Sequence, residues 1–207
     1  MERNMKKYAV LHEPGDIVTL AGTRFVVLDV ERRGSLPDSL FLLALESVGA
    51  SEFGSSNNYA ESDLKKAVDK WLEDMGKRGL DNAKLIPREI DLTTLDGSGC
   101  YGKLSVKAAP LTLDEAREYA DIIPNAERWC WLATGWSGPS KSDGDLALYV
   151  GSDGGWYHDF CPNSYGIRPA LKAPSILFED SEAGLDLSKI PTDDLLQEIH
   201  RRLAEKA

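Results

Sequence analysis

The stretch LALYVGSDGGWYHDFCPNSYGIRPAL, residues 146–171, contains the pattern that decides the fold. Residues 145–150 and 156–160 alternate with the period of two that is typical of β-strands. The five residues between them, GSDGG at 151–155, consist of turn-forming types. The stretch therefore predicts a β-hairpin, followed at 166–172 by another strand that contains GIRPAL.

Aromatic and polar side chains run through this hairpin and the turn after it. Tyrosine provides a large contact area at a small cost in conformational entropy, and Asn, Asp and His add adaptable hydrogen bonds. Such side chains are too polar to form a simple core. We therefore predict a ligand-binding surface composed of Tyr149, Tyr157, His158, Asp159, Asn163 and Tyr165.

The remaining residues of the hairpin are predicted to be structural. Leu146, Leu148 and Val150 share one face of the first strand, as core residues do. On the second strand, Trp156 and Phe160 share a face with His158, and we predict that Trp156 belongs to the core.

Further strands are predicted upstream of the hairpin. Residues 129–133 alternate with a period of two, which indicates a strand of the same small sheet. Residues 15–20, 24–30 and 39–45 are rich in β-branched and aromatic residues and are separated by turns. They predict a separate antiparallel meander.

Two helices are predicted between these groups of strands. Ser62 is a candidate N-cap for a helix whose apolar stripe runs from Leu64 to Met75. Thr112 and Glu115 have the spacing of a capping box for a second helix that ends before Pro124. The chain is therefore predicted to be α+β, with two small antiparallel sheets and two helices.

Composition excludes several classes of protein. The chain has 207 residues, 42% hydrophobic and 28% charged, as in ordinary globular proteins. Its formal net charge of −10 opposes binding to nucleic acid, which requires clustered Lys and Arg. The longest apolar run, residues 40–45, is too short to span a membrane. Because the charged N-terminus lacks the apolar segment of a signal peptide, we expect synthesis in the cytoplasm.

The sequence divides into three parts. Residues 1–173 are predicted to form the domain, and residues 174–188 an acidic linker. Residues 189–207 are predicted to form a C-terminal helix with a narrow apolar stripe. A stripe of this width fits docking on the domain or on a partner helix.

Residues for nucleophilic chemistry are few. The chain has three histidines and three cysteines, and none of them forms a catalytic pair with recognisable spacing. His12 and His200 are expected on the surface. Cys100, Cys130 and Cys161 are expected to be buried thiols, with a Cys130–Cys161 disulfide as the alternative in an oxidising compartment.

Three acidic residues near the hairpin offer oxygen ligands for Ca²⁺: Asp143, Asp145 and Asp153. They lack the regular ligand spacing of an EF-hand, and Asp-Gly pairs favour turns in their own right. We therefore give turn formation precedence over a cation site and expect no cofactor.

A resemblance to a known family lies in seven segments, which in chain order read RFVVLDV, SLFLLAL, ESDLKKAVDKWLEDM, PLTLDEAREYA, CWLATGWSG, ALYVGSDGG and YGIRPAL. In this order they resemble bacterial and phage C-type-lectin-like domains of uncharacterised function, across residues 15–173. The family includes variable proteins of diversity-generating retroelements and is related in fold to formylglycine-generating enzymes. The resemblance implies a C-type lectin fold in which residues 166–171 form a fixed closing strand and the preceding residues display a ligand-binding surface.

We therefore expect a non-enzymatic binding or display protein that recognises a protein or glycan through residues 149–165, and the resemblance implies a retroelement variable protein as one form of it. One alternative is a structural or assembly component of a phage or prophage particle, in which the C-terminal helix binds a second copy or a particle protein and the chain becomes virion-associated. Another alternative is an oxidase of the formylglycine-generating type that uses Cys130 and Cys161 with a metal.

Overall fold

The computed structural model of the protein describes residues 12–33, 36–139, 141, 143–178 and 196. In chain order the elements are β1 (Ile17–Leu20), β2 (Thr23–Arg33), β3 (Leu36–Ala44), β4 (Ala50–Glu52), a 3₁₀ turn (Tyr59–Glu61), α1 (Asp63–Lys77), β5 (Arg88–Asp91), β6 (Lys103–Val106), β7 (Ala108–Ala109), α2 (Leu113–Glu118), β8 (Cys130–Gly135), β9 (Leu146–Val150), β10 (Trp156–Phe160), β11 (Ser164–Gly166), β12 (Ala170–Pro174) and a second 3₁₀ turn (Ser175–Phe178). The prediction of an α+β protein with small sheets and two helices is confirmed.

The first sheet is built on the N-terminal meander and has the strand order β1-β2-β3-β12-β7. All of its neighbouring strands are antiparallel. The turn between β1 and β2 uses Ala21 and Gly22, whose φ angles are 46° and 76°. Positive φ at both positions matches the two-residue turns that follow the natural twist of a hairpin.

The second sheet contains the predicted hairpin and has the strand order β10-β9-β8-β11-β4. The turn at 151–155 is confirmed between β9 and β10. β8 and β11 are parallel, paired at Cys130 and Gly166, so the prediction that both sheets are wholly antiparallel is wrong at this one pair. A third, two-stranded sheet joins β5 and β6.

The GIRPAL segment connects the two large sheets. β11 ends at Gly166 in the second sheet and β12 begins at Ala170 in the first, so the prediction of one closing strand over 166–171 is wrong. Pro169 has no N–H for a ladder bond. Arg168 is buried in the crossing, where its Nε donates to the Ala44 carbonyl (2.7 Å) and its Nη1 to the Pro124 carbonyl (2.9 Å).

The two helices begin where the sequence predicts. The Ser62 hydroxyl accepts a hydrogen bond from the Lys65 amide at the start of α1, and the capping box of Thr112 and Glu115 is present at α2. α2 is shorter than predicted, since Tyr119 is already its C-cap.

The core joins the sheets to the helices. The larger cluster combines residues of both sheets with the buried face of α1, and the smaller cluster combines Leu28, Leu132 and Leu148 with Leu113 and Ala116 of α2. The second sheet is therefore packed on both faces along its inner strands. One of its two edge strands, β10, carries no fully buried residue.

The end of the described chain packs against its beginning. Phe178 is buried and its ring contacts His12, with centroids 5.9 Å apart, so residues 174–178 of the predicted linker lie on the domain. His12 is itself buried, which corrects its expected surface position, because the 3₁₀ turn covers it. The rest of the predicted linker and the predicted helix at 189–207 lie outside the described residues, except Leu196, which is exposed.

Candidate functional site

Five aromatic side chains lie together on one face of the second sheet. This aromatic face consists of Trp129, Trp131, Tyr149, Tyr157 and Tyr165. Tyr149 pairs with Trp131 on one side and with Tyr157 on the other, and directly paired residues point to the same side of a sheet. Strand register thus brings together residues from four segments of the chain.

Tyr149 is the middle ring of a three-ring stack. Its ring lies 5.4 Å from that of Trp129 and 5.5 Å from that of Tyr157, with interplanar angles of 24° and 25°. Tyr149 is only 8% exposed, whereas Trp129 and Tyr157 are 47% and 43% exposed. The prediction that Tyr149 is a surface residue is therefore wrong, because the two neighbouring rings cover it.

Tyr165 connects this stack to the core. Its ring centroid lies 4.6 Å from that of Trp131 and 4.7 Å from that of Tyr149. Trp131 is buried, and its indole N–H donates to the Ser51 carbonyl at 3.0 Å. The aromatic face is therefore buried at one end and open to solvent at the other.

Two carboxylates hold the phenols in place. The hydroxyl of Tyr157 donates to Asp153 at 2.6 Å, and that of Tyr165 donates to Asp159. The bond to Tyr157 lowers the pKa of Asp153, and the bond to Tyr165 lowers the pKa of Asp159. The pKa of Tyr157 is raised by its bond to Asp153, and that of Tyr165 is raised by burial and then by its bond to Asp159. Near neutral pH both phenols therefore remain donors to ionised carboxylates.

The glycines of the hairpin turn make room for Tyr157. A Cβ atom on Gly155 would lie 2.9 Å from the Tyr157 ring, and one on Gly151 would lie 2.8 Å from it. Gly154 has a φ of 82°, which glycine adopts without strain. The turn and the ring thus form one packed unit.

The opposite face of β10 carries His158, whose ring contacts that of Trp136 at 3.9 Å. Trp156 and Phe160 share this face and are 44% and 56% exposed, so the prediction that Trp156 is a core residue is wrong. The smaller core cluster, which includes α2, covers Leu148 on the neighbouring strand and leaves β10 open. The guanidinium of Arg117 lies over the Trp156 ring at 5.4 Å.

The structure brings together four of the six predicted site residues. Tyr149, Tyr157, Asp159 and Tyr165 are neighbours on the aromatic face or bonded to it. Asn163 is exposed in the turn before β11, and a hydrogen bond from its side chain also lowers the pKa of Asp159. His158 points to the face of β10 opposite Tyr157 and Asp159, and hence away from the aromatic face, because side chains alternate along a strand.

A pocket of about 360 Å³ lies beside the open end of the aromatic face, and sequence reasoning missed it. Its lining residues are Ala50, Glu127, Arg128, Trp129, Ser152, Ser164, Tyr165 and Gly166. Trp129 is the exposed ring of this pocket. A signal was present in the sequence, since Trp129 precedes Trp131 by two residues and a period of two places both on one face.

The two buried thiols lie far apart along the sheet. Cys130 pairs with Val150, and Val150 pairs with Trp156, so Cys130 lies level with the first residue of β10. Cys161 follows Phe160, the last residue of β10. Five residues of strand correspond to about 17 Å, beyond the ~7 Å between Cα atoms that a disulfide tolerates. The alternative of a Cys130–Cys161 disulfide is therefore wrong, and both are free.

Burial also determines the protonation of these thiols. It raises the pKa of Cys130 to about 11 and that of Cys161 to about 12. The thiolate is the reactive form of cysteine, so both side chains are inert thiols near neutral pH. Cys100 is exposed, contrary to expectation.

The three candidate Ca²⁺ ligands do not converge. Asp153 lies in the turn after β9, whereas Asp143 and Asp145 precede that strand. Asp153 is bonded to Tyr157 and to the Gly155 amide. Among the residues that the structure describes, no three or more His, Cys, Asp or Glu are placed to hold a metal ion.

None of the described helices is long and apolar enough to cross a membrane.

Comparisons of the chain with protein-family models, with curated proteins and with solved structures found no match. The resemblance to C-type-lectin-like domains is therefore carried by the quoted segments alone and stays a prediction.

Proposed function

We propose that this chain is a non-enzymatic ligand-binding and display protein whose binding surface is the open end of the aromatic face. One observation carries the proposal: two exposed rings, Trp129 and Tyr157, are held in place by the buried ring of Tyr149 between them. Rigid aromatic groups lose little conformational entropy when a partner binds, so more of the contact energy appears as affinity.

The carboxylate bonds add to this rigidity. Asp153 fixes the orientation of Tyr157, and Asp159 fixes that of Tyr165. Because the phenols are already bonded within the protein, a ligand contacts rings whose positions are set in advance. This arrangement is typical of recognition surfaces built for shape and aromatic contact.

A non-enzymatic role is supported by the state of the thiols that the oxidase alternative requires. Both Cys130 and Cys161 are held protonated by burial and lie at different ends of β10. A cysteine nucleophile requires the thiolate, and the separation of the two residues along β10 keeps them from acting as a pair.

We extend the proposal to a C-type lectin fold and to a role as the variable protein of a phage or bacterial diversity-generating retroelement, made in the cytoplasm and then virion-associated. The residues that would vary, 157–165, span most of the edge strand β10, the turn after it and the start of β11. Within this range no residue of β10 is buried, so substitutions on that strand disturb the core least, whereas Cys161 is a core residue. An adjacent reverse transcriptase gene with a near-identical template repeat is expected beside the gene, and its absence would contradict the retroelement role.

The binding proposal is tested with arrays of glycans and of displayed peptides. The wild-type chain is expected to capture members of one array, and the double variant Trp129→Ala/Tyr157→Ala is expected to lose them. Trp156→Ala removes an equally exposed tryptophan from the opposite face and serves as the matched control. Capture that persists in the double variant, or a wild-type chain that captures nothing, would refute the aromatic face as a binding surface.

A further inference from the structure

We infer that the pocket beside Trp129 binds one neutral pyranose unit of a glycan. This inference rests on the proposed function, and it names the chemical class of ligand and the subsite that takes it. The argument depends on the two aromatic walls, on the polar groups around them and on the pairing of β11.

The walls of the pocket are two rings that meet at nearly a right angle. Trp129 and Tyr165 have centroids 5.5 Å apart and an interplanar angle of 78°. One face of Trp129 is covered by Tyr149, yet the side chain is 47% exposed, so much of the remaining indole surface is open. An open indole surface of this kind accepts the apolar C–H face of a flat, compact ligand.

The rim of the pocket supplies donors and acceptors together. Glu127 contributes a carboxylate, Arg128 a guanidinium, and Ser152 and Ser164 contribute hydroxyls. All four residues are exposed, and none makes a side-chain hydrogen bond or ion pair with the described part of the chain. They come from the loop before β8, the hairpin turn and β11, so the fold assembles them from separate segments.

The charges of the rim favour a neutral ligand. Glu127 opposes a phosphate or carboxylate, as does the net charge of −10, and Arg128 opposes an ammonium group. A ligand without net charge that donates hydrogen bonds at some positions and accepts them at others satisfies both residues. Sugar hydroxyls have this property, and the pyranose ring beneath them has the apolar face that Trp129 requires.

The size and the backbone of the pocket favour the same class. A volume of about 360 Å³ is near the lower end of small-ligand pockets, which suits a ligand as small as one sugar ring. A peptide bound as an added strand needs an unpaired sheet edge. Here β11 is paired with β8 on one side and with β4 on the other, so β11 offers no such edge. The edge strand at the pocket is β4, which contributes Ala50 and is only three residues long, too short to pair with more than a fragment of a peptide strand.

The test uses neutral methyl glycosides of common hexoses and N-acetylhexosamines, titrated into ¹⁵N-labelled full-length protein. At least one glycoside is expected to shift the indole N–H signal of Trp129, assigned from its absence in Trp129→Phe. Trp129→Ala is expected to weaken binding at least about tenfold, the effect of losing one good aromatic contact. Trp156→Ala is expected to bind as wild type does.

A second variant distinguishes the loss of a ligand contact from a loss of protein stability. Glu127→Gln keeps the shape of an exposed side chain and is expected to weaken the same glycoside several-fold without changing the melting temperature. If no glycoside shifts the Trp129 signal at tens of millimolar, the glycan inference is overturned. If the protein still captures peptides and that capture depends on Trp129 and Tyr157, the aromatic face remains the proposed binding surface. If neither glycosides nor peptides bind, the proposed binding surface is refuted as well.

Discussion

Tyr149 stacks on Trp129 with ring centroids 5.4 Å apart and planes 24° apart, and the two residues differ almost sixfold in exposure, at 8% and 47%. The ring of Tyr149 is therefore part of the core, and the ring of Trp129 is part of the surface. Because they are in contact, the position of the exposed indole is set by the packing of the buried phenol. Under the proposed function, stability and recognition are coupled at this pair, and substitutions at each residue have different expected effects.

Replacing Tyr149 by Ala is expected to lower the free energy of unfolding by about 3 kcal/mol, as for other large buried aromatic residues. Tyr149→Phe keeps the ring, and its hydroxyl makes no hydrogen bond among the described residues, so this control is expected to stay close to wild type. Urea denaturation followed by circular dichroism measures both. Equal losses in the two variants would mean that the hydroxyl, rather than the stacked ring, carries the stabilisation.

Asp159→Asn is expected to destabilise the protein at neutral pH and to have little effect in acid. The bond from Tyr165 lowers the folded-state pKa of Asp159 below its unfolded value. The resulting stabilisation is fully present above the ordinary aspartate pKa, about 3.9, and is lost as the pH falls through the lowered folded-state pKa. The difference in the free energy of unfolding between wild type and Asp159→Asn should therefore shrink as the pH falls below the ordinary aspartate pKa. Urea denaturation curves recorded at several pH values measure this difference.

Asp121→Asn is the matched control for this experiment, since Asp121 is exposed and has no hydrogen bond among the described residues. Its difference from wild type is expected to be small at every pH. A difference between Asp159→Asn and wild type that stays constant from neutral pH into acid would show that ionisation of Asp159 does not contribute.

Arg168→Ala is expected to cost about 3 kcal/mol of stability, because a buried carbonyl that loses its donor costs roughly 1–3 kcal/mol and a part-buried one adds a smaller loss. The carbonyls concerned are those of Ala44 and Pro124. Arg128→Ala removes an exposed arginine from the pocket rim and is expected to leave the melting temperature unchanged. A wild-type melting temperature for Arg168→Ala would contradict the role assigned to the GIRPAL crossing.

Alkylation of the native protein with iodoacetamide at pH 8 is expected to modify Cys100 rapidly and the other two cysteines slowly. Cys130 and Cys161 are buried, and their pKa values are raised to about 11 and about 12, so little thiolate forms at this pH. Intact-mass spectrometry counts the adducts, and the urea-unfolded chain should take three. Rapid modification of Cys161 in the folded protein would reopen the oxidase alternative.

Local chemistry explains why parts of the fold were predictable. Ser62 and the Thr112 capping box act within three residues of themselves, and the 151–155 turn needs only its own glycines and aspartate. The faces of β9 and β10 also follow from a period of two. What covers each face does not follow from that period, so the sequence alone does not reveal that Tyr149 is buried and Trp156 is exposed.

The GIRPAL segment illustrates the same limit over a longer distance. Its residues read as one strand because each is locally compatible with extended backbone. The partners of Arg168 lie 124 and 44 residues away in the sequence, and only the packing of both sheets brings them together. The pocket beside Trp129 is assembled in the same way, from segments far apart in the chain.

The sequence by itself determined the α+β class, the starts of both helices, the hairpin turn and the composition of an aromatic and polar surface, because each depends on neighbours in the chain. Tertiary structure decided which aromatic rings are buried, which sheet each half of GIRPAL joins, and where the pocket opens. These depend on contacts between strands that are distant in sequence, and their register and packing are set by the whole core.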